Sequence, residues 1–85
     1  MTTLEQAQQD VNTLSKKPSN DNLLFLYAHY KQATMGDCSG KRPSMLDVTG
    51  RMKFDAWAKL KGMSKTEAEA RYTAKVKTLL AADEK

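Results

Sequence analysis

The sequence predicts an all-α domain of four helices. Three observations carry that prediction. Apolar residues recur at helical spacing along four separate stretches. Helix-stopping residues fall between those stretches, at Pro18, Gly36 and Gly62. No run alternates apolar and polar residues as a half-buried strand does. The 85 residues fit one domain, 1–85, with one modest core.

The first helix is expected over about Thr3–Leu14. Thr2 and Glu5 have the spacing of a capping box. Leu4, Ala7, Val11 and Leu14 form one apolar stripe, and Glu5 and Asp10 face away from it. Lys16 and Lys17 follow, favourable near a helix C-terminus, before Pro18 stops the run. The second helix is expected over about Asn20–Met35, with Ser19 or Asn20 as its cap. Leu23-Leu24-Phe25-Leu26-Tyr27-Ala28 is apolar without a break. Leu23, Leu26, Tyr27 and Tyr30 fall on one side; Leu24, Phe25, Ala28 and Met35 fall on another. A chain this short has too little protein to cover both sides, so one is expected to await a ligand or partner.

Residues 36–47 form a long connection, expected to be pinned to the core by Met45 and Leu46 and to leave its basic residues solvated. The third helix is expected over about Val48–Lys61, capped by Asp47 and anchored by Trp57. The fourth begins at Ser64, where Ser64 and Glu67 form a second capping box. Ala68, Tyr72, Val76 and Leu79 are its stripe, and Ala81–Lys85 should fray.

Charge narrows the ligand class. The net charge is +4, and the excess is greatest over residues 48–63, where Arg51, Lys53, Lys59 and Lys61 stand against Asp55. An anionic partner follows: a phosphorylated metabolite, a nucleic acid or an anionic membrane. On the second helix, Tyr27, Tyr30 and Lys31 share a face at i, i+3 and i+4. An aromatic plate, a phenol and a fixed positive charge suit a flat ring bearing a phosphate. Two core tyrosines and a solvated lysine would give the same local pattern. Cys38 is the only cysteine, which fits a reducing compartment and an inert loop thiol. No apolar run reaches membrane-spanning length, and the N-terminus lacks a signal-peptide pattern, so a cytoplasmic protein is expected.

Tyr27-Ala28-His29-Tyr30-Lys31-Gln32-Ala33-Thr34-Met35-Gly36-Asp37 resembles the signature of the acyl-CoA-binding protein family. So do Arg42-Pro43, Lys53 with Asp55-Ala56-Trp57, Leu60-Lys61-Gly62 with Ser64-Lys65, and Tyr72 with Val76. The resemblance runs from about Leu4 to Leu80. It implies a four-helix up-down-down-up bundle with a shallow bowl. It also implies non-covalent binding of medium- and long-chain acyl-CoA esters by an intracellular carrier and buffer that supports fatty acid metabolism. By the same resemblance, adenine stacks near Tyr30, and the ribose 3′-phosphate meets Lys31, Lys53 and the Tyr27 hydroxyl. Tyr72 contacts the ligand between nucleotide and thioester. The acyl chain follows a groove touching Leu23 and Leu24, with Ala28 and His29 as further candidates. No cofactor or metal is implied, transient contact with acyl-CoA-using enzymes or membranes is allowed, and a monomer suffices. The chain departs from the family at Asn12, where a lysine is common, and at Leu4, Ser44, Val48 and Phe54. Asn12 removes a charge contact; the others bear on packing and chain preference.

Two other classes fit less well. A nucleic-acid module would use the positive charge, but the cations are spread over several segments without a dense basic face. A thioesterase would need a base and an orienting acid. His29 is the sole histidine, expected at the surface or half-buried, and no acid is placed to orient it.

Overall fold

Local chemistry sets most helix ends, and the computed structural model describes residues 3–83. The helices are α1 (Leu4–Val11), α2 (Asn20–Met35), α3 (Val48–Ala58) and α4 (Lys65–Asp83), with no strand among the described residues. α2 packs against α3 and α4, and α1 packs against α4. This is the expected four-helix all-α architecture. No helix among the described residues is long and apolar enough to cross a membrane.

Caps explain the starts. Thr3 accepts from the Gln6 amide at 3.1 Å and caps α1, while Thr2, the expected partner of Glu5, lies outside the described residues. Ser19 caps α2 through the Asn22 amide, and Asp47 caps α3 through the Gly50 amide. Ser64 accepts from the Glu67 amide, giving one half of the expected box. The other half is replaced: the Glu67 carboxylate takes Arg71 Nε at 3.0 Å, one turn along α4. Glu84 and Lys85, in the tail expected to fray, lie outside the described residues, and α4 itself continues through Ala81 and Ala82 to Asp83.

Two helices end earlier than expected. α1 stops at Val11 because the Thr13 amide and hydroxyl both turn back to the Asp10 carbonyl, at 3.0 and 2.6 Å. α3 stops at Ala58. The amides of Leu60, Lys61 and Met63 bond to carbonyls three residues back, so Leu60 and Lys61 belong to a tight turn. Gly36 ends α2 at φ 80, a conformation that favours glycine.

The core runs along the α1–α2–α4 contact, where Ala7, Leu26, Tyr72 and Val76 are buried, with Leu4, Val11, Tyr30, Leu79 and Leu80 around them. A second, polar knot joins the other end. Buried Gln32 donates to Asp37 Oδ1 at 2.9 Å and to the Met63 carbonyl at 2.8 Å. Asp37 Oδ1 also accepts from the Gly62 amide. These bonds, Gly62 first, hold its carboxyl below the usual carboxylate range. Trp57, buried as expected, donates Nε1 to the Gly36 carbonyl at 2.9 Å.

The long connection is not pinned by Met45 and Leu46. Both are exposed, and Met35 on the outer side of α2 is too. Polar ties hold it instead: Arg42 donates from Nε and Nη2 to the two Asp55 carboxylate oxygens, at 2.9 and 2.6 Å. Arg42 is therefore paired, where the sequence suggested solvation.

The body is flattened, with extents of 39 × 28 × 16 Å. Its radius of gyration is 13.2 Å, against about 12 Å for a rounder domain of this length. A flat bundle leaves part of the strongly apolar α2 without a helix over it, as its composition requires.

Candidate ligand-binding site

That uncovered part of α2 forms the floor of two adjoining cavities. The larger, about 550 Å³, is walled by Val11, Leu14 and Pro18 and by the side of α2 carrying Leu23, Leu26, Tyr27 and Tyr30. Tyr72 reaches it from α4, and Gln8, Asn12, Lys16 and Lys17 add polar groups. The smaller, about 390 Å³, lies between α2 and α3 and is lined by Leu23, Leu24, Thr49, Met52 and Lys53, with Lys17 and Asn20 at its rim. Leu23 and Lys17 belong to both, so the two spaces meet at that pair.

Each tyrosine sits differently. Tyr72 is buried in the core, and burial, with Tyr30 nearby, pushes its phenol up from the ordinary value. It stays a neutral donor at physiological pH. Tyr30 is half-buried, its ring 5.8 Å from that of Tyr72 and inclined by 56°. That edge-inclined packing leaves ring surface on the cavity wall. Tyr27 is half-buried, and Lys53 from α3 places its ammonium 5.3 Å from the Tyr27 ring centroid.

Lys31 has another position. Its ammonium lies 5.2 Å from the Trp57 ring centroid and 3.1 Å from Met35 Sδ. It lines neither cavity. Both contacts are weak, and one turn of helix, about 5.4 Å, separates Lys31 from Tyr27. Little therefore holds the side chain in that position.

Ala28 and His29 are buried on the opposite side of α2, away from both cavity walls. His29, expected at the surface or half-buried, stacks on Phe25 at 3.9 Å, and its Nδ1 lies 2.7 Å from the Phe25 carbonyl. Burial lowers its pKa against that hydrogen bond, and Arg71 and Lys75 add to the lowering. Arg71 and Lys75 face the imidazole, and among the described residues no carboxylate is hydrogen-bonded to it. Cys38 is half-buried with its thiol pushed up by desolvation and by Asp55, which disfavours the reactive thiolate. No group of three potential ligands for a metal occurs among the described residues.

Sequence reasoning missed Lys16 and Lys17 as cavity residues. It read them as charges at the end of a longer first helix. With α1 closed at Val11, they lie in the loop over the cavity mouth. The loop is clasped from the far end of the chain: Asp83 accepts from the Ser15 hydroxyl at 2.6 Å and from the Ser15 amide. Those bonds lower the Asp83 pKa. The available signal was the Lys-Lys-Pro run after Thr13.

Comparison with known proteins identifies the family and the fold. The family model described as "Acyl CoA binding protein" matches residues 2–76. An acyl-CoA-binding protein of Dictyostelium discoideum is 51% identical over 74 residues, covering 87% of this chain and 88% of the relative. The crystal structure of Oryza sativa Acyl-CoA-Binding Protein 2 superposes with a TM-score of 0.91 at 40% identity, over 96% of this chain and 89% of that one. The solution structure of the yeast protein gives 0.74 at 44% identity, covering 95% and 94%.

Proposed function

The chain belongs to the acyl-CoA-binding protein family, and from that premise we propose how its residues divide the ligand between them. It binds acyl-CoA esters and carries them. The observation that supports the residue assignment is that a tyrosine-lined cavity bearing Lys16 and Lys17 shares Leu23 and Lys17 with a second one, where Leu24 and Met52 are apolar and Lys53 stands beside the Tyr27 ring.

The nucleotide end occupies the larger cavity, with its 3′-phosphate at the border with the smaller one, where Lys53 stands beside Tyr27. Adenine packs on Tyr30, worth about 1–3 kcal/mol by analogy with stacked bases elsewhere. The 3′-phosphate takes Lys53, the Tyr27 hydroxyl and a redirected Lys31, because a phosphate monoester carries up to two charges near neutral pH and is answered by charge-assisted hydrogen bonds. Lys16 and Lys17 face the remaining phosphates from the clasped loop. They restore positive charge to a wall where Asn12 offers none. Tyr72 donates between nucleotide and thioester. The acyl chain lies along Leu23 and Leu24, and each buried methylene contributes about 0.8 kcal/mol.

This division selects the thioester. A free fatty acid lacks the phosphate handle, and free coenzyme A lacks the apolar tail. No covalent step is involved, so the protein is a carrier and not an enzyme. Medium and long chains, an intracellular setting and a monomeric state complete the reading. Titration with palmitoyl-CoA, followed by backbone amide shifts, is expected to move residues 16–17, 27–31, 53 and 72 most. Changes confined to Glu5 and Gln9, on the outer face of α1, would reject the assignment.

A further inference from the structure

The loop between α1 and α2 lines two spaces at once. Leu14, Lys16 and Pro18 belong to the larger ligand cavity. They also belong to a depression of about 180 Å³ completed by Leu79, Ala82 and Asp83 of α4. The same three residues therefore link the ligand cavity to the last turn of α4.

Local structure does little to hold this loop. α1 closes at Val11, and α2 does not begin until Asn20. The Leu14 amide reaches back to the Val11 carbonyl at 3.4 Å, a long bond. The next amide, that of Ser15, finds its partner 68 residues along the chain. Asp83 Oδ1 accepts the Ser15 hydroxyl at 2.6 Å, and Oδ1 and Oδ2 share the Ser15 amide at 3.3 and 3.2 Å. One carboxylate takes both donors of one residue, which fixes the direction of the chain there as well as its distance.

We propose that Asp83 and Ser15 are positioning residues for the ligand's phosphates. Asp83 holds Ser15, and Ser15 sets the direction in which Lys16 and Lys17 leave the backbone. This rests on the acyl-CoA reading, in which those lysines answer the phosphates. Neither Ser15 nor Asp83 lines the ligand cavity, so both act through the lysines. A loop ordered before the ligand arrives has less freedom to lose on binding, which raises affinity.

The sign of the effect separates positioning from bulk charge. Asp83 is an anion, and Lys16 shares its depression. On charge alone, removing Asp83 would raise the local positive potential and tighten the hold on an anionic ligand. Positioning gives the opposite sign.

The test is calorimetric titration of the full chain and its variants with palmitoyl-CoA, each variant first checked for an unchanged helical circular dichroism spectrum. Asp83→Ala is expected to weaken binding roughly three- to tenfold. Ser15→Ala keeps the amide bond and should lose less. Ser15→Thr keeps both donors and should bind like wild type. Glu69→Ala makes the same change of charge at an exposed position of α4 outside both ligand cavities, and should not weaken binding. In a Lys16→Ala/Lys17→Ala background, Asp83→Ala should add little, because the side chains it positions are gone. Asp83→Ala binding as tightly as wild type or tighter overturns the clasp and leaves the carrier reading standing. So does an equal loss with and without the two lysines, or a Lys16→Ala/Lys17→Ala variant that binds like wild type. Wild type that binds no palmitoyl-CoA rejects the carrier reading, and the clasp with it.

Discussion

Replacing Lys31 and Lys53 together with alanine is expected to weaken palmitoyl-CoA binding by about a hundredfold. A hydrogen bond to a charged group contributes about 1.5–3 kcal/mol. Lys53 is exposed, so solvent screens its share, and a loss of about 1.4 kcal/mol, or tenfold, is assigned to it. Lys31 is half-buried between α2 and Trp57, and its loss should be at least as large. Lys77→Ala, on an exposed part of α4 and outside both cavities, is the control and should change affinity little. Isothermal titration of Lys31→Ala, Lys53→Ala, their double variant and Lys77→Ala checks the point. Equal losses at all sites would mean that bulk charge holds the ligand. Lys31→Ala also removes the contact with Trp57, worth about 0.5–1 kcal/mol at an exposed site. A thermal melt of that variant separates lost binding from lost stability.

Trp57→Ala is expected to destabilise the fold by about 3–5 kcal/mol. Trp57 is 6% exposed, and its indole both fills space beneath α2 and satisfies the Gly36 carbonyl. Alanine leaves a cavity and an unpaired, partly buried acceptor at once. A domain of this length holds only roughly 4–13 kcal/mol of total stability. The melting midpoint should therefore fall by about 12–40 °C, since each kcal/mol moves it by about 4–8 °C in a domain this small. Trp57→Phe keeps most of the packing, loses the hydrogen bond and should lie between the two. The check is thermal unfolding followed by circular dichroism. An alanine variant melting within a few degrees of wild type would show that the Gly36–Trp57 junction carries little.

The fold was legible wherever one turn of sequence decides the outcome. Ser19, Asp47 and Ser64 each cap the helix that their spacing predicts, and the bounds of α2 agree at both ends. Tyr27, Tyr30 and Tyr72 could be singled out because helical spacing and the family resemblance coincide on them. What stayed hidden depends on distant partners. Lys16 and Lys17 line the cavity from a loop whose Ser15 is bonded to Asp83, at the other end of the chain. Lys31 shares a helical face with Tyr27, yet its ammonium rests on Trp57 of α3, a contact that spacing does not show. Met45 and Leu46 were read as core because they are apolar. The connection is instead held by the Arg42–Asp55 pair, which frees both side chains to face outwards.

The central claim is that two cavities meeting at Leu23 and Lys17 require both ends of a thioester. It is tested most directly by calorimetric titration with palmitoyl-CoA beside free coenzyme A and free palmitate. The account predicts one-to-one binding of palmitoyl-CoA, tighter than either fragment by at least roughly a hundredfold, since several buried methylenes at about 0.8 kcal/mol each separate it from coenzyme A. Comparable affinity for a fragment, or no binding of palmitoyl-CoA, would contradict it.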